Sequence, residues 1–544
     1  MSTHLADFPG LAALNIAVKE TVDKYRALYI QANVTSWNAA VNGTPDNLRK
    51  AADARAAAMR LEADTVEYAR YKAWDQANAA ASDPLLARQI RLLHFTFAQG
   101  QNDPELIEPI SELIRKLEEA YYTFRAEVDG KKLSDNEVEA ILDKSRDGEI
   151  RREVWEAQKQ LGPLVAPSIR ELARLRNKTA QKMGYPNYHR MSLVLGEIDP
   201  DWLYGMLDAL AVRTDEPFRN AKAALDAELA ARFKIPVEAL GPWHYSDLFF
   251  QRAPKVGSTD FDTFFVDQKL EDLATRTYDG LGMDVRDILA RSDLYERENK
   301  NQHAFCTHID REGDVRTLNN LKPVERWMDT LLHELGHGVY DKYIPQDLPW
   351  LLRTPAHILY TEAMALLMGG MTLDQDWLTR VRGLSQQDAA SVEADAEKRT
   401  TLEALIFTRW VLVMVNFEKA LYDNPEADLN EIWWQLVERY QYVKRPAGRA
   451  MPDWATKLHV ALAPAYYQNY LLGRMVAEQW RHWLAANASG IIDNSAAGNF
   501  FIKKVFAPGA TLPWNDALAF ATEQPLQIDY FVDRYVGAVR SAGI

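Results

Sequence analysis

The stretch Val324–Tyr340 reads VERWMDTLLHELGHGVY, and at 356–370 it is followed by AHILYTEAMALLMGG. Both read as helices. In the first, His333 and His337 stand four residues apart, about 40° around a helix of 100° per residue, so both imidazoles can reach one zinc ion. Glu334 follows the first of them directly, where it can hold and deprotonate a water at the metal. A chance pattern on a helix is the alternative, and the second segment weighs against it. Glu362 is the only charge on an apolar helix, and burying a carboxylate there unpaired costs several kcal/mol. It is therefore paired or metal-bound, unless it lies near solvent at the helix start. A catalytic zinc site needs three protein ligands and an open position. His333, His337 and Glu362 supply the three, with water as the fourth. No third histidine follows at the short spacing of the metzincin pattern, which favours a glutamate-completed site.

Around these helices the periodicity is helical from end to end. The segments 45–72, 104–127, 135–160, 164–183 and 386–422 place apolar residues three and four apart between charged ones. Alternation is scarce; the best strand candidate is HAFCTHIDREGDVRTL at 303–318, read as a hairpin turning at Arg311-Glu312-Gly313-Asp314. There is no repeat, low-complexity tract or Gly/Ser linker, and the proline-bearing breaks at 251–262 and 345–356 read as loops within one body. The expectation is one large, mainly α-helical domain with a small β element ahead of its key helix.

Composition excludes several classes. The chain of 544 residues carries 63 Lys+Arg against 77 Asp+Glu, a formal charge of −14, which argues against a general nucleic-acid binder. Its single cysteine, Cys306, rules out an intrachain disulfide and a cysteine-only zinc site, leaving histidine and carboxylate for any metal. Cys306 itself reads as a small buried hydrophobe. The opening MSTHLADFPGLAALNIAVKE lacks the basic and apolar regions of a secretory signal. The most apolar run, VLVMVNF at 411–417, lies between Arg409 and Glu418 and reads as a buried helix rather than a membrane span. A soluble protein is expected, cytoplasmic as numbered, or periplasmic or secreted if a leader has been removed.

HELGHGVYD at 333–341, LPWLLR at 348–353 and Thr361-Glu362-Ala363 together resemble the zinc peptidyl-dipeptidases typified by angiotensin-converting enzyme, and much of the pattern is shared with thimet oligopeptidase and neurolysin. The resemblance continues in His303-Ala304, WWQLVERYQ at 433–441 and KLHVALAPAYYQNYLLG at 457–473, and more weakly around Tyr188-His189-Arg190. It implies a single peptidase domain over 1–544, two helical halves around a deep cleft. Helices of about 8–100 would cover that cleft, and about 300–475 would carry the active site. It also implies one Zn2+ per chain and short peptides as substrates.

Roles beyond the metal follow from the same resemblance. Glu334 would be the base and later the proton donor to the leaving amine. Tyr470 would donate its phenol to the oxyanion, and His459 would hydrogen-bond the substrate near the scissile bond. Lys457 and Tyr467 match the lysine and tyrosine that bind a free C-terminal carboxylate and so limit cleavage to terminal dipeptides. The family's glutamine at that subsite is expected near Trp243-His244-Tyr245. His303 and Ala304 would lie on a strand whose edge docks an extended peptide. Read without the resemblance, Tyr466, Tyr467 and Tyr470 suit aromatic packing equally well, and Lys457 suits a solvated face.

Two departures stand out. Leu366 occupies the place of an acidic residue four positions after the zinc glutamate, which leaves Asp329, one turn before His333, as the candidate for orienting an imidazole. Animal members are activated by chloride held by arginines and a tryptophan. Arg190 and Trp433 match, but Val437 and Asn469 replace two expected arginines, so chloride activation is expected to be weak or absent. The leading expectation is a zinc peptidyl-dipeptidase. The alternatives are a thimet-type endo-oligopeptidase and a catalytically silent peptide-binding homologue.

Overall fold

Short polar residues set the helix boundaries. Thr44, Asp83, Asn187 and Asp428 each accept a backbone N–H in the first turn that follows, and proline stands at the first position of the helices Pro45–Glu62, Pro84–Gly100 and Pro200–Arg213. The same devices break segments that periodicity alone reads as continuous. The 45–72 stretch divides at Asp64, whose side chain accepts from Val66 and Glu67 and starts the helix Thr65–Gln76. The 135–160 stretch divides at Asp147, which accepts from Glu149 and Ile150. The 104–127 stretch ends at Thr123 and runs into strand β1 (Ala126–Val128), paired antiparallel with β2 (Lys131–Leu133) across Asp129 and Gly130, both at positive φ.

The structure is a computed structural model and describes residues 9–101, 104–254 and 259–542. It is mainly α-helical, with two small hairpins. The residues gather into two compact units, each assembled from three stretches of chain: 1–101, 260–391 and 472–527 in the first, 102–259, 392–471 and 528–544 in the second. The helix Gln386–Asp423 is the one described helix long and apolar enough to cross a membrane, and its Val411–Val415 run is fully buried, as a core helix should be.

In the first unit the motif helix, Glu325–Lys342, begins where Asp262 accepts the Glu325 N–H at 3.1 Å. It packs on the Glu362 helix, Ile358–Gly369, whose residues Leu359–Ala365 are all buried. The two axes approach closely because Gly336 has no side chain; a Cβ there would lie 2.9 Å from Ala365 Cα. Gly473 does the same on another side, where a Cβ would come within 2.9 Å of Leu359 O and 3.2 Å of Glu362 Cβ. Glu362 is thus seated by glycines on both neighbouring helices.

Ahead of the motif helix, β3 (Phe305–His308) and β4 (Val315–Leu318) form the expected hairpin, with Arg311 and Gly313 of the turn at positive φ. His303 and Ala304, expected on the strand, instead precede it in a bend. Asn301 Oδ1 accepts the His303 N–H at 2.9 Å, and Asn320 Nδ2 donates to the carbonyls of Asn301 and Gln302, which turns the chain before β3 begins. The first helix, Leu11–Val41, is pinned to the hairpin turn. Asn33 donates to the carbonyls of His308 and Ile309, Arg26 pairs with Glu312 at 2.5 Å, and Arg311 lies 4.5 Å from the rings of both Tyr29 and Trp350, which meet edge-on.

Candidate active site

One donor atom each from His333, His337 and Glu362 lies within 4.8 Å of the others, an arrangement that could hold a metal ion. His333 Nε2 and Glu362 Oε2 are 3.9 Å apart, close to the roughly 3.4 Å expected of two ligands on a tetrahedral zinc. Burial holds His333 down to about 4 and His337 well below its ordinary value, so both rings are neutral and offer a lone pair. His337 Nδ1 meets Thr361 Oγ1 at 2.6 Å, which fixes the ring and leaves Nε2 for a metal. Thr361 is the orienting partner that sequence reasoning missed, although it stands directly before Glu362. Asp329 lies against Gly369, where a Cβ would sit 2.2 Å from its Oδ1.

Glu334 is 7% exposed. Burial, then the charges of Glu362 and Asp329, push its carboxyl up to about 8, while the backbone N–H of Cys306 on β3 donates to it and opposes that rise. The hairpin therefore holds the glutamate of the motif. Burial also pushes the Cys306 thiol well up, which makes it unreactive.

The second unit brings together the later residues. Lys457 Nζ donates to Gln251 Oε1 at 2.8 Å and lies over the rings of Phe249, Trp410 and Tyr467, 5.3, 5.6 and 5.5 Å from their centroids. Burial brings this amine down to about 8, with Asp247 opposing. Gln251 is held by Asp247, whose carboxylate accepts the N–H groups of Phe249, Gln251 and Arg252. His459 and Tyr470 both pack against Tyr467, their rings 5.0 and 5.7 Å from it. Tyr466 packs edge-on against Tyr470 at 5.1 Å. Burial lowers His459 to about 4, and its Nδ1 is enclosed with no hydrogen-bond partner among the described residues.

Two family models match the chain. The angiotensin-converting enzyme model matches residues 12–201, and the peptidase family M3 model matches residues 288–536. No curated protein matches. The two matches support an angiotensin-converting-enzyme-like or M3 metallopeptidase. Both families are zinc-dependent and act on peptides, and the neutral histidines and buried carboxylate of the first unit fit a zinc ion in charge and spacing.

Within this metallopeptidase residues 243–245, near which a glutamine is expected, are themselves engaged elsewhere. Trp243 packs on Trp155, His244 Nδ1 accepts the Gly241 N–H, and the Tyr245 hydroxyl bonds Asp226 and Lys222, so all three are engaged in the core. Gln251 is the glutamine beside Lys457. Arg190 pairs with Asp201 at 2.6 Å, whereas Trp433 is enclosed by Phe249, Trp410 and Phe417. The two have different surroundings, and the Arg190 charge is already met by a carboxylate.

Lys159, in the same unit, is 1% exposed, bonded to Thr456 Oγ1 at 3.1 Å and lying 3.7 Å from the Phe249 centroid. Burial lowers its amine from 10.5 to about 7. Between those values the unfolded chain binds more protons than the folded one, so this lysine makes stability rise with pH across the window, and its cost is complete and levels off below about 7. Lys159→Met is expected to stabilise the protein by roughly 1–3 kcal/mol near pH 7 and to flatten that rise. Urea denaturation at pH 7 and pH 10 measures both; a less stable variant with the rise intact contradicts the assignment.

Proposed function

We propose that the chain is a zinc peptidyl-dipeptidase that releases dipeptides from the free C-termini of short peptides. The observation that carries this reading is Lys457, a cation walled by three rings whose hydrogen bond goes to the neutral amide of Gln251. Such a cation is suited to a carboxylate brought by the substrate, and a charge-assisted bond there is stronger than a neutral one. Tyr467 supplies a further donor, and Gln251 Nε2 another.

His333, His337 and Glu362 would hold the zinc, which when bound supplies a Lewis acid to polarise a carbonyl and to lower the pKa of water. Glu334, buried and steadied by the Cys306 N–H, takes the proton of the attacking water and passes it to the leaving nitrogen. Tyr470 gives its phenol to the tetrahedral oxygen, and neutral His459 hydrogen-bonds the substrate beside the scissile bond. The bend at His303 and Ala304 offers main-chain groups to an extended peptide.

A second reading has its own support, since the M3 model spans the stretch that includes the motif helix, Lys457 and Tyr470. A thimet-type endo-oligopeptidase would share the chemistry without anchoring a carboxylate. Mass spectrometry of products from matched peptides with free and amidated C-termini separates the two. Fast dipeptide release from the free form and much slower cleavage of the amidated one are expected; equal cleavage of both forms would favour the endopeptidase.

A further inference from the structure

The short helix Leu458–Leu462 carries His459, and the helix that follows starts at Tyr467 and carries Tyr470. The turn between them runs through Ala463, Pro464 and Ala465, and Ala465 lies in the left-handed region at φ +55°. A residue with a Cβ pays about 1–2 kcal/mol there, so surrounding groups must hold the turn. Two of them are buried ionisable side chains from other helices. Arg176, on Leu161–Lys182 and 9% exposed, donates from Nη1 to Ala461 O at 2.9 Å and to the Tyr422 hydroxyl at 3.1 Å. Glu418, on Gln386–Asp423 and 1% exposed, accepts the Ala465 N–H on Oε1 at 3.1 Å.

We propose that Arg176 and Glu418 are positioning residues, which clamp the backbone on both sides of the turn and so fix where His459, Tyr467 and Tyr470 point. Burying an arginine and a glutamate is costly, and an apolar pair of similar volume commonly stabilises a core as well or better. What apolar side chains cannot do is fix one backbone carbonyl and one backbone N–H of an irregular turn. The guanidinium is itself steadied over the Tyr188 ring at 5.3 Å, and Asn177 Nδ2 bonds Tyr422 O at 2.7 Å, so the arginine side of the clamp is backed by a further layer. Gln468 adds a bond to Ala465 O from the start of the next helix. Burial pushes the Glu418 carboxyl up to about 8, and its Oε2 has no hydrogen-bond partner among the described residues, so the one bond it makes is to the turn.

The proposal rests on the roles given above to His459 and Tyr470, and the test keeps the two apart. Glu418→Met removes the acceptor, whereas Glu418→Gln keeps an oxygen for Ala465. In Glu418→Met, amide exchange across 461–466 is expected to speed up at least about tenfold with the rest of the chain unchanged. Its kcat on a short peptide should fall about tenfold or more with KM within twofold. Glu418→Gln should stay within about threefold of the parent on every measure. If Glu418→Met yields too little folded protein, Arg176→Lys, which keeps the cation but loses the fork, carries the same two measurements at 460–463. Unchanged exchange overturns the clamp, and faster exchange with unchanged kcat overturns its positioning role. A parent protein that hydrolyses no peptide fails the functional reading instead, and the exchange arm still judges the clamp.

Discussion

Glu334→Gln is expected to lower kcat on short peptides by about 10²–10⁴-fold while the protein keeps its zinc. The amide has the shape of the carboxyl and can still accept the Cys306 N–H, so the motif helix and β3 stay in register. What it loses is the ability to take a proton. His333, His337 and Glu362 are untouched, as is the Thr361 contact that aims His337. Elemental analysis should therefore find the same zinc content in variant and parent, and the loss should appear in kcat more than in KM. Turnover unchanged in Glu334→Gln would remove this residue from the mechanism.

The second large effect concerns the substrate's end. In Lys457→Met, KM for peptides with a free C-terminus is expected to rise about 10–100-fold, the equivalent of one charge-assisted hydrogen bond of roughly 1.5–3 kcal/mol. Methionine fills the same space among Phe249, Trp410 and Tyr467, so the aromatic walls remain. Amidated peptides, which never engage the ammonium, should be cleaved by the variant no worse than by the parent. Steady-state kinetics on a matched pair of peptides gives the answer. A variant that loses both substrates equally would mark Lys457 as a structural residue.

The convergence of His333, His337 and Glu362 was legible because helices write their geometry into sequence. Two histidines four apart and one carboxylate on an apolar helix need no knowledge of the fold. The hairpin ahead of them was legible through its turn. Helix ends were missed where a single Asp64 or Asp147 outweighs a periodic run, and β1–β2 was missed although Asp129-Gly130 is a strong turn signal. Gln251 lay out of reach for a different reason. Its place beside Lys457 depends on a loop wound around Asp247 and on a partner 206 residues away, and neither leaves a local pattern. The clamp on the 461–465 turn is of the same kind, since Arg176 and Glu418 look like ordinary charges on ordinary helices. The two units left no linker to read, because each is assembled from three separate stretches of chain.

The pinning of the first helix to the hairpin turn has a consequence for biosynthesis. Arg26 and Glu312 are 286 residues apart, and Trp350, the second ring against Arg311, comes later still. At about 5–20 residues per second a ribosome needs roughly 15–60 s to make that stretch. Throughout that interval Tyr29 and Asn33 wait without the hairpin turn, whereas Leu14, Val18 and Val22 find Tyr71, Trp74 and Phe97 early. The nascent chain thus presents the 29–33 part of this helix to chaperones until the hairpin is made, and the first unit closes only then.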